Sequence, residues 1–192
     1  MISIDEQDLK GKILFFMPSE EGPSYFTDSL IYMCDHNEHG SLGLIINRPL
    51  NLNLSDLFQG MKIETIGENN SQAFLGGPVN PGAIFILHTS DKIWKNSLKV
   101  TDEVFMSTDY EAIEDIARGN RPKYYILTLG YTGWGPEQLN GEISDNAWIS
   151  FPGDRHLIFE VDPADQINEI SNNVGYDIRT VSYTHLTLPT KA

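Results

Sequence analysis

The chain contains one cysteine, Cys34, so no internal disulfide can form, and a lone thiol fits a reducing compartment. Positive charge is also scarce. Thirteen Lys and Arg face 27 Asp and Glu, a formal charge of −14, and such a field repels polyanions unless the few cations cluster. Generic nucleic-acid or anionic-membrane binding is disfavoured, and direct DNA binding is not expected. No apolar run approaches the roughly 20 residues of a membrane-spanning helix. The first eight residues are acidic rather than basic, so no leader is expected there and a cytoplasmic location is the plain reading. No serine stands in a nucleophile elbow, because Gly133-Trp134-Gly135 carries Trp where that motif needs Ser, and no lysine follows this glycine-rich stretch to hold a phosphate.

What is present is a core-forming composition. At 192 residues and 40% hydrophobic, with three Trp, eight Tyr and nine Phe, the chain is sized for one α+β domain with a substantial interior. The most specific segment is residues 127–148, where an apolar strand runs into Gly130, Gly133 and Gly135 interleaved with Tyr131 and Trp134. Glycines there permit positive φ or close backbone approach, and the aromatics supply contact area. The pattern predicts a recognition loop over 130–135, followed by a short acidic helix with Pro136 at its first position.

Along the rest of the chain, residues 12–17 predict a buried strand stopped by Pro18. Residues 25–34 and 42–46 predict an antiparallel hairpin around the polar turn 35–40, ending at Asn47-Arg48-Pro49. Asn53 or Ser55 is suited to cap a short helix through Phe58, and the polar run 67–72 is expected to be a mobile loop. Strands are predicted at 83–88, 97–100, 103–106, 124–128, 148–151 and 156–161. A helix with Tyr110, Ile113, Ile116 and Ala117 at helical spacing is capped by Ser107 or Thr108 and ended by Gly119. A last amphipathic helix, opened by Asp162-Pro163, places Ile167, Ile170 and Val174 on one face. Strands that adjoin without intervening helices argue for α+β over a doubly wound parallel sheet.

Three segments carry a family resemblance: Gly43-Leu44-Ile45-Ile46-Asn47-Arg48-Pro49, then Gly76-Gly77-Pro78-Val79 followed by Leu87-His88, then residues 130–139 with Glu142 and Trp148. In this order they resemble the signature segments of the YqgE/AlgH family, over roughly residues 12–180. The resemblance implies a bacterial cytosolic protein in which a small closed β-barrel joins a bifurcated, mostly antiparallel sheet flanked by helices. Members carry the label of transcriptional regulator, resting on an alginate-regulation phenotype rather than on a known reaction, and the resemblance brings no catalytic residue or cofactor. It implies a single domain over 1–180. Residues 181–192 read as a non-native or disordered tail, against the alternative of a genuine terminal strand.

Each candidate site has a structural alternative. Asn47 and Arg48 can present a guanidinium fork to a carboxylate or phosphate, or simply end a strand in which Arg48 pairs with a nearby acid. Gly77, Pro78, Tyr131, Gly133, Trp134 and Gln138 can form a glycine-rich binding face, or packing corners that seat Trp134. His88 ends an apolar strand and is either a base or a satisfied buried histidine. Residues 35–39 supply metal-ligand types, but on a hairpin turn their side chains diverge, so no metal is expected. The basic cluster Arg118, Arg121 and Lys123 surrounds a helix end, where positive charge is favourable in any case. Two function classes follow. One is a regulatory or interaction protein binding a partner protein or small ligand at the glycine-rich face; the other is an enzyme with a cleft built on Arg48, His88 and the segment 130–135.

Overall fold

The computed structural model describes residues 8–18 and 22–181. Among them are ten strands: β1 Lys12–Phe16, β2 Leu30–Asn37, β3 Gly40–Ile45, β4 Pro49–Asn53, β5 Gln72–Leu75, β6 Val79–Thr89, β7 Leu98–Lys99, β8 Val104–Ser107, β9 Tyr125–Trp134 and β10 Trp148–Pro152. The helices are α1 Leu54–Gly60, α2 Tyr110–Ala117, α3 Gln138–Ser144, α4 Arg155–Phe159 and α5 Gln166–Val174, with a 3-10 turn at Ile178–Thr180. The strands form one curled sheet in the order β10-β1-β2-β3-β9-β6-β8-β7, with β4 and β5 branching from β9.

The period-two alternation of the strands decides which face each side chain buries. Ile13, Phe15, Leu30, Tyr32, Leu44, Phe85 and Leu87 share one face, under Leu157, Ile158 and Ile170 of α4 and α5. The intervening residues Leu14, Ile31, Met33 and Ile45 pack on the other face with Leu139 of α3. Further along that second face, Ile86 and Leu127 meet Leu54 and Phe58 of α1 and Ile113 and Ile116 of α2.

The sheet forks at β9. One edge of β9 pairs antiparallel with β6 along its length, from Tyr125↔His88 to Tyr131↔Val79. The opposite edge is divided: Thr132, Gly133 and Trp134 pair antiparallel with β3, whereas Thr128 and Leu129 pair parallel with β5. The barrel is not closed. Among the described residues the end strands β10 and β7 do not pair, so the curled sheet stays open.

Several local expectations are corrected. Residues 130–135 are not a free loop, since β9 runs through Trp134, with Gly130 at φ +73 bending it. Pro136 lies before α3 rather than inside it, and Glu137 takes a left-handed conformation at the helix start. Residues 156–161, expected as a strand, fall largely in helix α4, because the Asp154 carboxylate accepts the Leu157 amide at 2.8 Å and fixes a helical start that the apolar run alone does not reveal. Pro49 opens β4 instead of ending the segment, an edge position where its missing N–H is tolerated. Asp109, not Ser107 or Thr108, occupies the N-cap position of α2, while Asn53 caps α1 by accepting the Asp56 amide at 2.7 Å. Residues 67–72 are tied down: Ser55 Oγ accepts the Asn69 amide at 2.6 Å, and Asn69 Nδ2 donates to the Tyr125 hydroxyl at 2.7 Å. Val181 is buried, and the rest of the expected tail lies outside the described residues.

Candidate functional site

The glycine-bearing segments meet at the fork. The Gly76 amide donates to the Leu129 carbonyl at 2.8 Å, the Ile45 amide donates to the Gly76 carbonyl at 2.9 Å, and the Leu75 amide donates to the Arg48 carbonyl at 2.9 Å. Gly76 thus bridges β3 and β9 at the point where they separate. A Cβ at Gly76 would lie 2.2 Å from the Gly130 carbonyl oxygen, and one at Gly77 would lie 2.2 Å from the Tyr131 carbonyl. Only bare backbone fits between those strands.

Below the fork, where β5 and β9 part, lies a cleft of about 430 Å³. Asn47, Pro49, Leu54 and Phe74 form one wall, and Tyr125, Ile126 and Leu127 of β9 form its floor. Ser71 and Gln72 close one end, and Asp162, Pro163 and Ala164 reach in from the turn before α5. The lining mixes apolar side chains with the polar groups of Asn47, Ser71, Gln72 and Tyr125 and the Asp162 carboxylate, a combination that can both seat and orient a ligand. Sequence reasoning located Asn47 but not Phe74, Tyr125 or Asp162. No local pattern marks these residues, which converge only through the fork.

Most of the predicted residues, Asn47 included, make internal contacts. Asn47 accepts the Leu30 amide through Oδ1 and donates from Nδ2 to the Asp28 carbonyl, both at 2.9 Å. Arg48 donates to the carbonyls of Tyr25 and Thr27 at 2.5 and 3.1 Å and lies over the Tyr25 ring. Arg48 therefore clamps the turn before β2. Arg48→Ala is expected to lower stability by about 1–2 kcal/mol, the scale of lost charge-assisted hydrogen bonds at a half-buried site, with Arg48→Lys intermediate because it lacks the planar fork; urea unfolding measures both.

Tyr131 packs on Phe85 at 5.4 Å between ring centres, and Gly133 and Pro78 are exposed. Trp134 is buried against Trp148. Both indole N–H groups donate to Oε2 of Glu142, at 3.0 and 2.7 Å, and Gln138 Nε2 donates to Oε1 of the same carboxylate at 3.0 Å. Gln138 also accepts the Gly135 amide at 3.0 Å. The signature tryptophans and acid are thus one bonded unit that seats α3 on the sheet.

His88 is fully buried between Trp94 and Phe105. Its Nδ1 sits 3.1 Å from the Thr89 carbonyl, which can only accept, so Nδ1 carries the proton and Nε2 accepts from the Ser107 hydroxyl at 2.7 Å. Ser107 has spent its proton, so the Ser97 hydroxyl donates to it at 2.6 Å and in turn accepts the Trp94 amide at 2.9 Å. A serine–imidazole pair can activate a nucleophile. Here both groups are sealed from solvent, and neither lines the cleft nor shares a partner with Arg48.

Burial lowers the His88 pKa below its ordinary 6.5, with the Thr89 carbonyl opposing part of that shift. The sign of the linkage follows. The unfolded chain takes up a proton as pH falls through 6.5 while the folded chain does not, so the stabilising effect is complete above 6.5 and is lost as pH falls toward the lowered folded pKa. His88→Gln, which keeps an acceptor for Ser107, should flatten this part of the profile in melting-temperature measurements between about pH 7.5 and 5. Cys34, fully buried, has its thiol pushed well above its usual pKa by burial and by neighbouring Asp35, so it is inert. On the polar hairpin, His36 Nδ1 bonds Ser41 Oγ at 2.7 Å and His39 points outward beside Glu38. Among the described residues no three His, Cys, Asp or Glu side chains converge as a metal would require.

Residues 13–179 match the family model described as AlgH-like. A UPF0301 protein of Shewanella loihica is 35% identical over 177 residues, covering 91% of this chain and 95% of that protein. Another from a Marinomonas species is 38% identical over 175 residues, covering 90% and 93%. Among solved structures, the solution structure of the AlgH protein from Pseudomonas aeruginosa superimposes with a TM-score of 0.77 at 31% identity, covering all of both chains. A crystal structure from Corynebacterium diphtheriae shares the fold, with a TM-score of 0.65 at 19% identity over 84% of this chain and 85% of that one. By its sequence match over nearly its whole length, this chain belongs to the AlgH-like family.

Proposed function

We propose that the protein works by binding, as a cytoplasmic regulatory or interaction protein that seats a small ligand or a segment of a partner in the cleft at the fork. The observation that carries this reading is that residues within or beside all three glycine-bearing segments line the cleft: Asn47 and Pro49 from the first, Phe74 just before the second and Leu127 just before the third. Among the described residues its walls carry no His, Cys, Lys or Arg, and a binding role suits it better than acid–base or nucleophilic chemistry. A regulatory role in transcription would run through a partner rather than through duplex readout. In keeping with that, Arg118 of the basic cluster lies beside Glu114, and the chain carries a net charge of −14.

Ala164 is exposed at the rim, so Ala164→Trp fills the cleft without disturbing the core. A thermal-shift screen of metabolites and short peptides tests the reading. Saturating the site at about 100 times its Kd stabilises by about 2.7 kcal/mol, an upward melting shift of roughly 5–10 °C for a chain of this size. That shift is expected in the unsubstituted protein and absent in Ala164→Trp. Equal shifts in both would move the site elsewhere.

A further inference from the structure

The cleft floor is a strand edge. Because the Gly76 amide donates to the Leu129 carbonyl, Leu129 turns its backbone groups toward the β5 side of β9. Along a strand the N–H and C=O of one residue face the same edge and successive residues face opposite edges, so Leu127 and Tyr125 also turn toward that side. Pairing between β5 and β9 is confined to Phe74↔Thr128 and Leu75↔Leu129. Before Gln72 the chain turns its bonding elsewhere: the Ser71 carbonyl accepts the Leu54 amide at 2.8 Å and the Asn69 carbonyl accepts the Ser55 amide at 3.1 Å, fixing the start of α1. The parallel register Phe74↔Thr128 places the Phe74 amide on the Leu127 carbonyl, so what opens into the cleft is the Leu127 N–H and both backbone groups of Tyr125, with no described strand paired to them.

We propose that the cleft takes a short extended peptide carrying a basic side chain, which adds to β9 by backbone hydrogen bonds to the N–H and C=O of Tyr125 and to the N–H of Leu127. This rests on the reading of the cleft as the ligand site and assigns the occupant's chemistry. Edge addition supplies affinity through main-chain bonds and specificity through alternate side-chain pockets. Here the open edge runs from Tyr125 to the Leu127 N–H, about 7 Å of strand, enough for a short segment. Phe74 and Ile126 offer apolar contact for one side chain. Asp162 is the one charged residue of the lining and is exposed, and the chain's net charge of −14 draws a cationic segment toward it.

The test titrates the full chain with a soluble library of five-residue peptides, acetylated and amidated at their ends, each holding one Lys or Arg. Hits are re-made with N-methyl groups on alternate amides, which removes strand pairing and keeps the side chains. Binding should slow amide exchange at Tyr125 and Leu127 by at least about tenfold, and one of the two N-methyl registers should abolish both binding and protection. Asp162→Asn keeps the acceptor for the Ala164 amide but loses the charge, and should weaken binding about three- to tenfold at low salt. Hits that bind in the cleft, judged by loss of binding to Ala164→Trp, yet leave the two amides unprotected and tolerate both N-methyl registers would overturn the strand-addition proposal and leave the cleft reading standing. A library that yields no hit, while a small molecule stabilises the unsubstituted protein and not Ala164→Trp, would do the same. Failure of both peptides and small molecules would remove the cleft reading as well.

Discussion

Gly76→Ala and Gly77→Ala are each expected to remove at least about 4 kcal/mol of stability, enough to leave much of a marginally stable domain unfolded. In each case the added methyl meets backbone rather than a side chain able to swing away. At Gly76 it would lie 2.2 Å from the Gly130 carbonyl oxygen, and at Gly77 2.2 Å from the Tyr131 carbonyl carbon and oxygen. Relief requires pulling β5 from β9, which breaks the Gly76 bonds to Leu129 and Ile45. Gly60 and Gly141 provide the contrast, since both lie in helices and a Cβ at either meets nothing within 4 Å. Alanine there should be neutral or stabilise by up to about 1 kcal/mol through helix propensity. Urea unfolding of the four variants separates a fork requirement from a general intolerance of substitution.

Glu142→Ala should cost about 2–4 kcal/mol. Its carboxylate accepts both the Trp134 and Trp148 indoles, which are only 6% and 5% exposed, so truncation strands two buried donors at about 1–3 kcal/mol each, partly recovered if water enters. Glu142→Gln keeps one oxygen acceptor but loses the charge and turns an amide donor toward Gln138, for an intermediate loss of about 1 kcal/mol. Tryptophan fluorescence should shift to the red in the alanine variant as water reaches the indoles. Equal stability of Glu142→Ala and the unsubstituted protein would mean that the shared carboxylate does not hold α3 in place.

Much of this fold was legible in the sequence because a short apolar run bounded by turn residues is a local signal. The runs 12–17, 25–34 and 83–88 announce strands, observed at Lys12–Phe16, Leu30–Asn37 and Val79–Thr89, and Asn53, one of two cap candidates, caps α1. The errors fall where tertiary partners override the local pattern. Gly130 and Gly133 suggest a loop, yet they occupy a strand bent between three neighbours. The apolar run after Arg155 suggests a strand until the Asp154 cap makes it helical. The glycine segments were recognisable and do meet, but the meeting is of backbones. Arg48, His88 and Trp134 point to separate partners, namely the turn at Tyr25 and Thr27, the Ser107 hydroxyl, and Glu142. The cleft itself was out of reach, because Phe74, Tyr125 and Asp162 are far apart in the chain and join only when β9 divides its edge between β3 and β5.

Binding at the fork is tested most directly by amide chemical-shift mapping of the full chain titrated with any compound or peptide that raises its melting temperature. Perturbations are expected at Phe74, Tyr125, Leu127 and Ala164, around the cleft. Perturbations centred instead on exposed Pro78 and Gly133, with the cleft amides unmoved, would contradict it and return the site to the glycine-rich face.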